Sequence, residues 1–281
     1  MWTGPDRLRR NVTRRRMLAV RDGVRSERPD DLATEEPMEI RVEGVDGPPV
    51  SVAVTMRTPG NDFDLAAGFL FTEGLIDGRD EIRRVSYCED LPADEQHYNV
   101  VTVSLARDFD ADVLRRTFFS NSSCGICGKA TLEQVEVRCA RVAAGPVVKA
   151  EVLQGLPRGL RAAQKVFDRT GGLHAAGLFA PDGTLLTVRE DVGRHNAVNK
   201  VVGEQVLVGG VPLAERVLQV SGRLSFEIVQ KAGRAGVPIV SAVSAPSSLA
   251  VETAEHLGIT LVGFVRDGRF NVYTHADRVA T

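Results

Sequence analysis

No stretch of about 18 consecutive apolar residues occurs in this chain, so it holds no candidate for a membrane-spanning helix. The basic start is not expected to be an export signal. Such a signal needs an apolar run of about 7–15 residues after a basic start, and Met17-Leu18-Ala19-Val20 is cut short by Arg21. Cysteine is scarce: four in 281 residues do not make a disulfide framework, and the reducing cytoplasm is the expected compartment. Charge of either sign is not in excess. A net charge of −2 argues against a general binder of nucleic acid or membrane surface. Internal repeats and low-complexity tracts are also lacking.

What is present is ordinary globular composition, 43% apolar and 26% charged, in a chain long enough to bury a core. The charge is unevenly placed. Nine arginines fall between Arg7 and Arg28, and the plain expectation for residues 1–35 is a solvated, partly disordered basic arm. A patch for an anionic ligand or acidic partner is the functional reading of the same stretch.

Beyond the arm, residues 36–145 read as a β-rich portion. Met38 to Glu43 and Val50 to Arg57 flank a turn-rich connection, and Ile82 to Tyr87 with Tyr98 to Leu105 suggest a second strand pair. Asn61-Asp62 is placed to cap a helix running to about Glu73, and a short helix is expected near 111–117. Residues 146–281 read differently. One amphipathic helix is expected to start at Pro157 and to end at Gly171-Gly172, followed by a hairpin around Pro181-Asp182-Gly183 and a helix N-capped by Asp191. Strand, helix, strand, helix and strand then alternate from Arg216 to Val265, an order that implies a parallel sheet with right-handed crossovers. The fold class is α/β or α+β, with helices covering a mixed sheet.

The most chemically suggestive segment is Ser123-Cys124-Gly125-Ile126-Cys127-Gly128-Lys129. Glycines permit a tight turn, and a cysteine beside Lys129 at a helix start has a lowered pKa and reacts as thiolate. Sulfur transfer, disulfide exchange, zinc binding and plain packing of two thiols all remain open to it. Zinc would need two more ligands, and Cys88 and Cys139 are isolated residues, not a second pair. Zinc deaminase chemistry is disfavoured, because no histidine in the chain has Glu two residues later and Ser123 precedes Cys124. No metal site is therefore expected.

In a parallel sheet, ligands gather where strands end and helices begin. Three such junctions here carry small hydroxyl residues or arginines: Ser221-Gly222-Arg223, Ser244-Ala245-Pro246-Ser247, and Phe264-Val265-Arg266-Asp267-Gly268-Arg269. Free N–H groups and guanidinium forks suit phosphate oxygens, although Ser and Gly also serve simply as helix caps. Arg194 and His195 open a helix after Glu190-Asp191-Val192-Gly193, and His174 follows Gly171-Gly172. A phosphorylated ligand lined by these residues is the expectation.

Taken together, Ser123 to Gly128, Gly171 to Ala176, Glu190 to Ala197 and the three junctions resemble the FdhD family, accessory sulfurtransferases needed for formate dehydrogenase activity. The resemblance runs from about Glu36 to His275, with one departure at Asn199, where the family pattern more often has Asp. It implies a homodimer with a cytidine-deaminase-like three-layer core that has lost its zinc site. It implies a cysteine persulfide on Cys124, assisted by Cys127, loaded by an IscS-type cysteine desulfurase. The implied substrate is molybdenum (or tungsten) bis(molybdopterin guanine dinucleotide), held by Phe264 to Arg269, with a GDP-like guanine nucleotide able to occupy the same place. A non-catalytic molybdenum-cofactor chaperone and a zinc-stapled interaction module are the alternatives.

Overall fold

The computed structural model describes residues 10–88, 98–109 and 139–281, so the helix expected near 111–117 lies outside the described residues. Within the basic arm, residues 12–33 form a largely exposed hairpin. Strands β1 (Val12–Arg21) and β2 (Val24–Ala33) pair antiparallel over ten residues each. The turn between them, Asp22-Gly23, has positive φ at both residues (49° and 81°), the geometry that an Asp-Gly hairpin turn requires. Arg14 lies opposite Asp31 and Arg15 opposite Asp30, so part of the arginine charge is matched across the ribbon.

A four-stranded sheet follows, with β3 (Glu36–Glu43), β4 (Val50–Arg57), β5 (Ile82–Tyr87) and β6 (Val100–Leu105) in the order β4-β3-β6-β5. Both expected strand pairs form, and β3 and β6 run parallel at the centre. Alternate residues Met38, Ile40 and Val42 of β3 are fully buried, the period of a sheet with one face on the core. Helix α1 (Asp62–Thr72) packs on that face. Its start differs from expectation. Asn61 is the cap residue but makes no side-chain cap bond, and the Asp62 carboxylate accepts from Arg57 Nε (3.1 Å) and Nη2 (3.0 Å) in the interior.

The second sheet has six strands in the order β13-β12-β11-β10-β8-β9. β7 (Val148–Lys149) precedes it and pairs with β14 (Val279–Ala280). β8 (His174–Phe179) and β9 (Leu185–Asp191) form the expected hairpin. β10 (Val217–Val220), β11 (Ile239–Ala242) and β12 (Thr260–Arg266) are parallel, and β13 (Arg269–Thr274) closes the edge antiparallel. Alternating strand residues serve two cores. Ala176, Leu218, Val240 and Leu261 join the large core, whereas Ala175, Val217, Ile239 and Val262 pack with Leu153, Leu156 and Leu160 on the opposite face. Helices therefore cover both sides of the sheet.

Those three leucines belong to α2 (Ala150–Ala163), which corrects the reading of Pro157 as a helix start. The helix runs through Pro157 because its buried leucine stripe continues on both sides of the proline, and packing outweighs the lost hydrogen bond. It breaks at Gln164, so the single expected helix is two, and α3 (Lys165–Thr170) ends at Gly171 in left-handed geometry. On the large-core side lie α4 (Arg194–Leu207), α5 (Phe226–Arg234) and α6 (Ser248–Leu257). α4 crosses α1 at backbone contact. A Cβ on Gly68 would sit 1.8 Å from Asn199 O, and one on Gly203 1.8 Å from Asp64 O.

Candidate functional site

The parallel strands β10, β11 and β12 end on one edge of the sheet, and antiparallel β8 begins there. His174, Ser221, Val243 and Arg266 consequently share that edge, and they line a cavity of about 970 Å³. Arg158 and Arg161 of α2, with Phe167 of α3, form its opposite wall. The wall is held to the sheet by Glu190, whose carboxylate accepts the N–H groups of Val166 (2.9 Å) and Phe167 (2.8 Å). Arg161 lies over the Phe167 ring at 4.6 Å, and Arg266 donates to the carbonyls of Val243 and Val265. The cleft thus carries three guanidinium groups around an apolar floor, with Arg158 paired to Asp267 and Arg161 to Asp168, a combination that leaves net positive charge for an anionic ligand with a planar ring.

At the cleft's inner end, Ser221 Oγ accepts the Ala175 N–H (2.9 Å) and lies 3.5 Å from His174 Nδ1. Burial, reinforced by the positive charge of Arg194, holds the His174 pKa below its ordinary value. A neutral imidazole follows at neutral pH, able to donate or accept one hydrogen bond. Gly222 brings the two side chains together: a Cβ there would lie 3.5 Å from His174 Nδ1 and 3.6 Å from Arg194 Cδ. His195 faces the start of α5, with Nε2 3.3 Å from Ser225 Oγ and 3.6 Å from Glu227 Oε2. The His195 hydrogen bond, opposed by burial and aided by Ser225, lowers the Glu227 pKa to about 2. Serine and carboxylate meet the same ring nitrogen, so this is not a nucleophile–histidine–acid relay.

Of the other expected site residues, some line the cleft and the rest lie around it. Asp267 and Val265 line the cleft, and Asp267 pairs with Arg158 at 3.3 Å. Arg223, Gly268 and Arg269 are exposed and are not among the cavity's lining residues. Phe264 is 44% exposed with φ of 53°, a conformation rare for a bulky residue, and its N–H bonds Ser244 O (3.2 Å). Ala245 O accepts the Leu224 N–H, and Ser247 Oγ caps α6 by accepting the Ala250 N–H (3.3 Å). Asp191 is not the N-cap of α4, as its sequence position had suggested. That place belongs to Gly193, and the Asp191 carboxylate is fully buried beneath it. Cys124 and Cys127 lie outside the described residues.

Sequence reading missed Arg158, Arg161 and Phe167. The signal was available, since Arg158 and Arg161 are three apart on the polar side of the leucine-striped helix α2.

Residues 33–280 match the FdhD/NarQ family. The sulfur carrier protein FdhD of Mycolicibacterium paratuberculosis is 52% identical over 273 residues, covering 95% of this chain and 98% of that relative. Its counterpart in Sulfolobus acidocaldarius is 44% identical over 260 residues, 92% of this chain and 95% of the relative. Among solved structures, a protein of Desulfotalea psychrophila named for an accessory role to formate dehydrogenase superposes with a TM-score of 0.75 at 26% identity, covering 96% of this chain and all of that one. On a match this long and relatives this similar over nearly their whole length, the chain belongs to the FdhD/NarQ family.

Proposed function

We propose that the chain is a sulfur carrier for formate dehydrogenase maturation. It takes sulfur from an IscS-type cysteine desulfurase and delivers it to the molybdenum or tungsten of a bis(molybdopterin guanine dinucleotide) substrate. The observation that supports this reading best is the arginine-lined cleft at the strand ends, of a size for a nucleotide and with a neutral histidine at its inner end. The names of the relatives supply the sulfur chemistry and the dehydrogenase.

In the loading step, the Cys124 thiolate attacks the outer sulfur of the desulfurase persulfide. A new S–S bond forms on Cys124, the desulfurase S–S bond breaks, and its cysteine leaves as thiolate. Cys127 assists by holding or relaying the sulfur, and on delivery its thiolate attacks Cys124 Sγ, so that a Cys124–Cys127 disulfide forms, the persulfide S–S bond breaks and the outer sulfur leaves at the sulfide level. Arg158, Arg161 and Arg266 bind the phosphates and leave the metal end of the substrate toward the sulfur, which is catalysis largely by positioning.

Formate dehydrogenase activity in cells lacking their own family protein tests this directly. The wild-type chain restores activity, and the Cys124→Ala, Cys127→Ala double variant does not. Restoration by the double variant would instead support a chaperone that only binds and shields the cofactor. Stoichiometric zinc in the purified protein, with unfolding by chelator, would support the zinc-stapled module.

A further inference from the structure

We infer that the buried ion pair Asp191–Lys200 is a positioning pair for the cleft: it fixes the first turn of α4, and with it Arg194 and His195. The side chains are 0% and 1% exposed and meet at 2.7 Å. Every polar atom of the pair is used. Asp191 Oδ2 also accepts the Thr58 N–H (3.2 Å), while Oδ1 accepts the Gly193 N–H (2.8 Å) and Asn196 Nδ2 (3.1 Å). Lys200 Nζ donates to Asp191, to Thr58 O (2.8 Å) and to Glu190 O (3.4 Å), which accounts for its three hydrogens. Val192 N–H completes the latch on Thr58 Oγ (3.3 Å).

Stability does not explain such a pair. Burying two charges costs about what their attraction returns, and apolar residues of similar volume often serve as well or better. What the pair supplies beyond an apolar contact is direction. One carboxylate reaches the loop before α1 and both ends of the turn into α4. Gly193 makes no side-chain cap of its own, so the start of α4 is set from Asp191 beneath it. The next two residues are Arg194 and His195. Arg194 Nε is buried with no hydrogen-bond partner among the described residues, and its Cδ lies beside Gly222, whose Cβ position also borders His174 Nδ1 at the inner end of the cleft. Thr58 follows Arg57, whose buried guanidinium bridges Asp62 and Glu36, so the latch also ties the four-stranded sheet to the cleft.

Two variants of the full chain test this. The double variant Asp191→Leu, Lys200→Met removes both charges at similar volume, and Thr58→Val removes only the Val192 bond. Amide hydrogen exchange at Gly193 and Ala197 is compared with Val201 and Val202 in the same helix, and GDP binding is measured by calorimetry. The expected result for the double variant is exchange at least tenfold faster at Gly193 and Ala197 with little change at Val201, and GDP bound about tenfold more weakly. Thr58→Val shifts both in the same direction by a few-fold, and it decides the matter if the double variant does not fold. A folded variant whose first turn exchanges at the wild-type rate, or alike with the rest of the helix, overturns the inference. So does a loosened first turn with unchanged GDP affinity. The GDP readout rests on the cleft proposed above. If the wild-type chain fails to bind GDP, that reading of the cleft fails, while the exchange pattern still decides the role of the pair.

Discussion

His174 carries the electrostatics of the cleft in one side chain. Its pKa is held down first by burial and next by Arg194, with Asp191 acting weakly the other way. Replacing Arg194 with Met removes the second cause, so the His174 ring titrates at higher pH than in the wild type. NMR of its Cε1–H resonance across pH 4–8 reads this, and an unchanged midpoint would place Arg194 away from the ring. Ser247 offers the opposite case. It is a cap, and Ser247→Ala is expected to cost about 1 kcal/mol in a denaturant titration while leaving GDP binding intact. Some residue-level features were legible from position alone, His174 and Ser221 among them, because strand ends announce themselves by glycine and serine. Asp191 was not. A carboxylate before a helix reads as a cap, and only the tertiary fold shows that Lys200, nine residues on, turns back to meet it.

At the level of elements, local signals and packing compete. The alternating strands and helices from β10 to β12 are plain in the sequence because each is short, apolar and closed by turn residues. The β1–β2 ribbon was hidden by its polarity, with Pro29 and five charged residues in β2, although Asp22-Gly23 announced the turn. In α2, burial overrides propensity at Pro157. Ala at that position gains about 3 kcal/mol of helix propensity and loses at most about 1 through greater freedom of the unfolded chain, so Pro157→Ala is expected to raise stability by about 2 kcal/mol. A fall in the denaturation midpoint would show that the proline fits its site better than this reasoning allows. The crossing of α1 and α4 has no such slack. Gly68→Ala drives a methyl into the Asn199 carbonyl and is expected to cost about 3 kcal/mol or more, seen as loss of cooperative unfolding or of soluble protein.

For the molecule as a whole, acid removes stability that titratable groups contribute, and around the site His174 and Glu227 act in the same direction. His174, with a folded-state pKa below its ordinary 6.5, contributes stability that is complete above about pH 6.5 and is lost as pH falls through the depressed value. Glu227 does the same between its ordinary 4.5 and about 2. Asp64, raised by burial despite Arg189, works in the opposite sense. The sheet edge and wall helices that line the cleft all belong to residues 154–267, and the Asp191 latch joins them to Thr58, ahead of α1. In sequence order the cysteine segment of the proposed sulfur transfer lies between β6 and α2, ahead of every residue that lines the cleft. The most direct test of that account is intact-mass spectrometry of the purified chain after incubation with a cysteine desulfurase and cysteine. The account predicts one added sulfur, removed by reducing agent and absent from the Cys124→Ala, Cys127→Ala double variant. The same added mass on the double variant would contradict it.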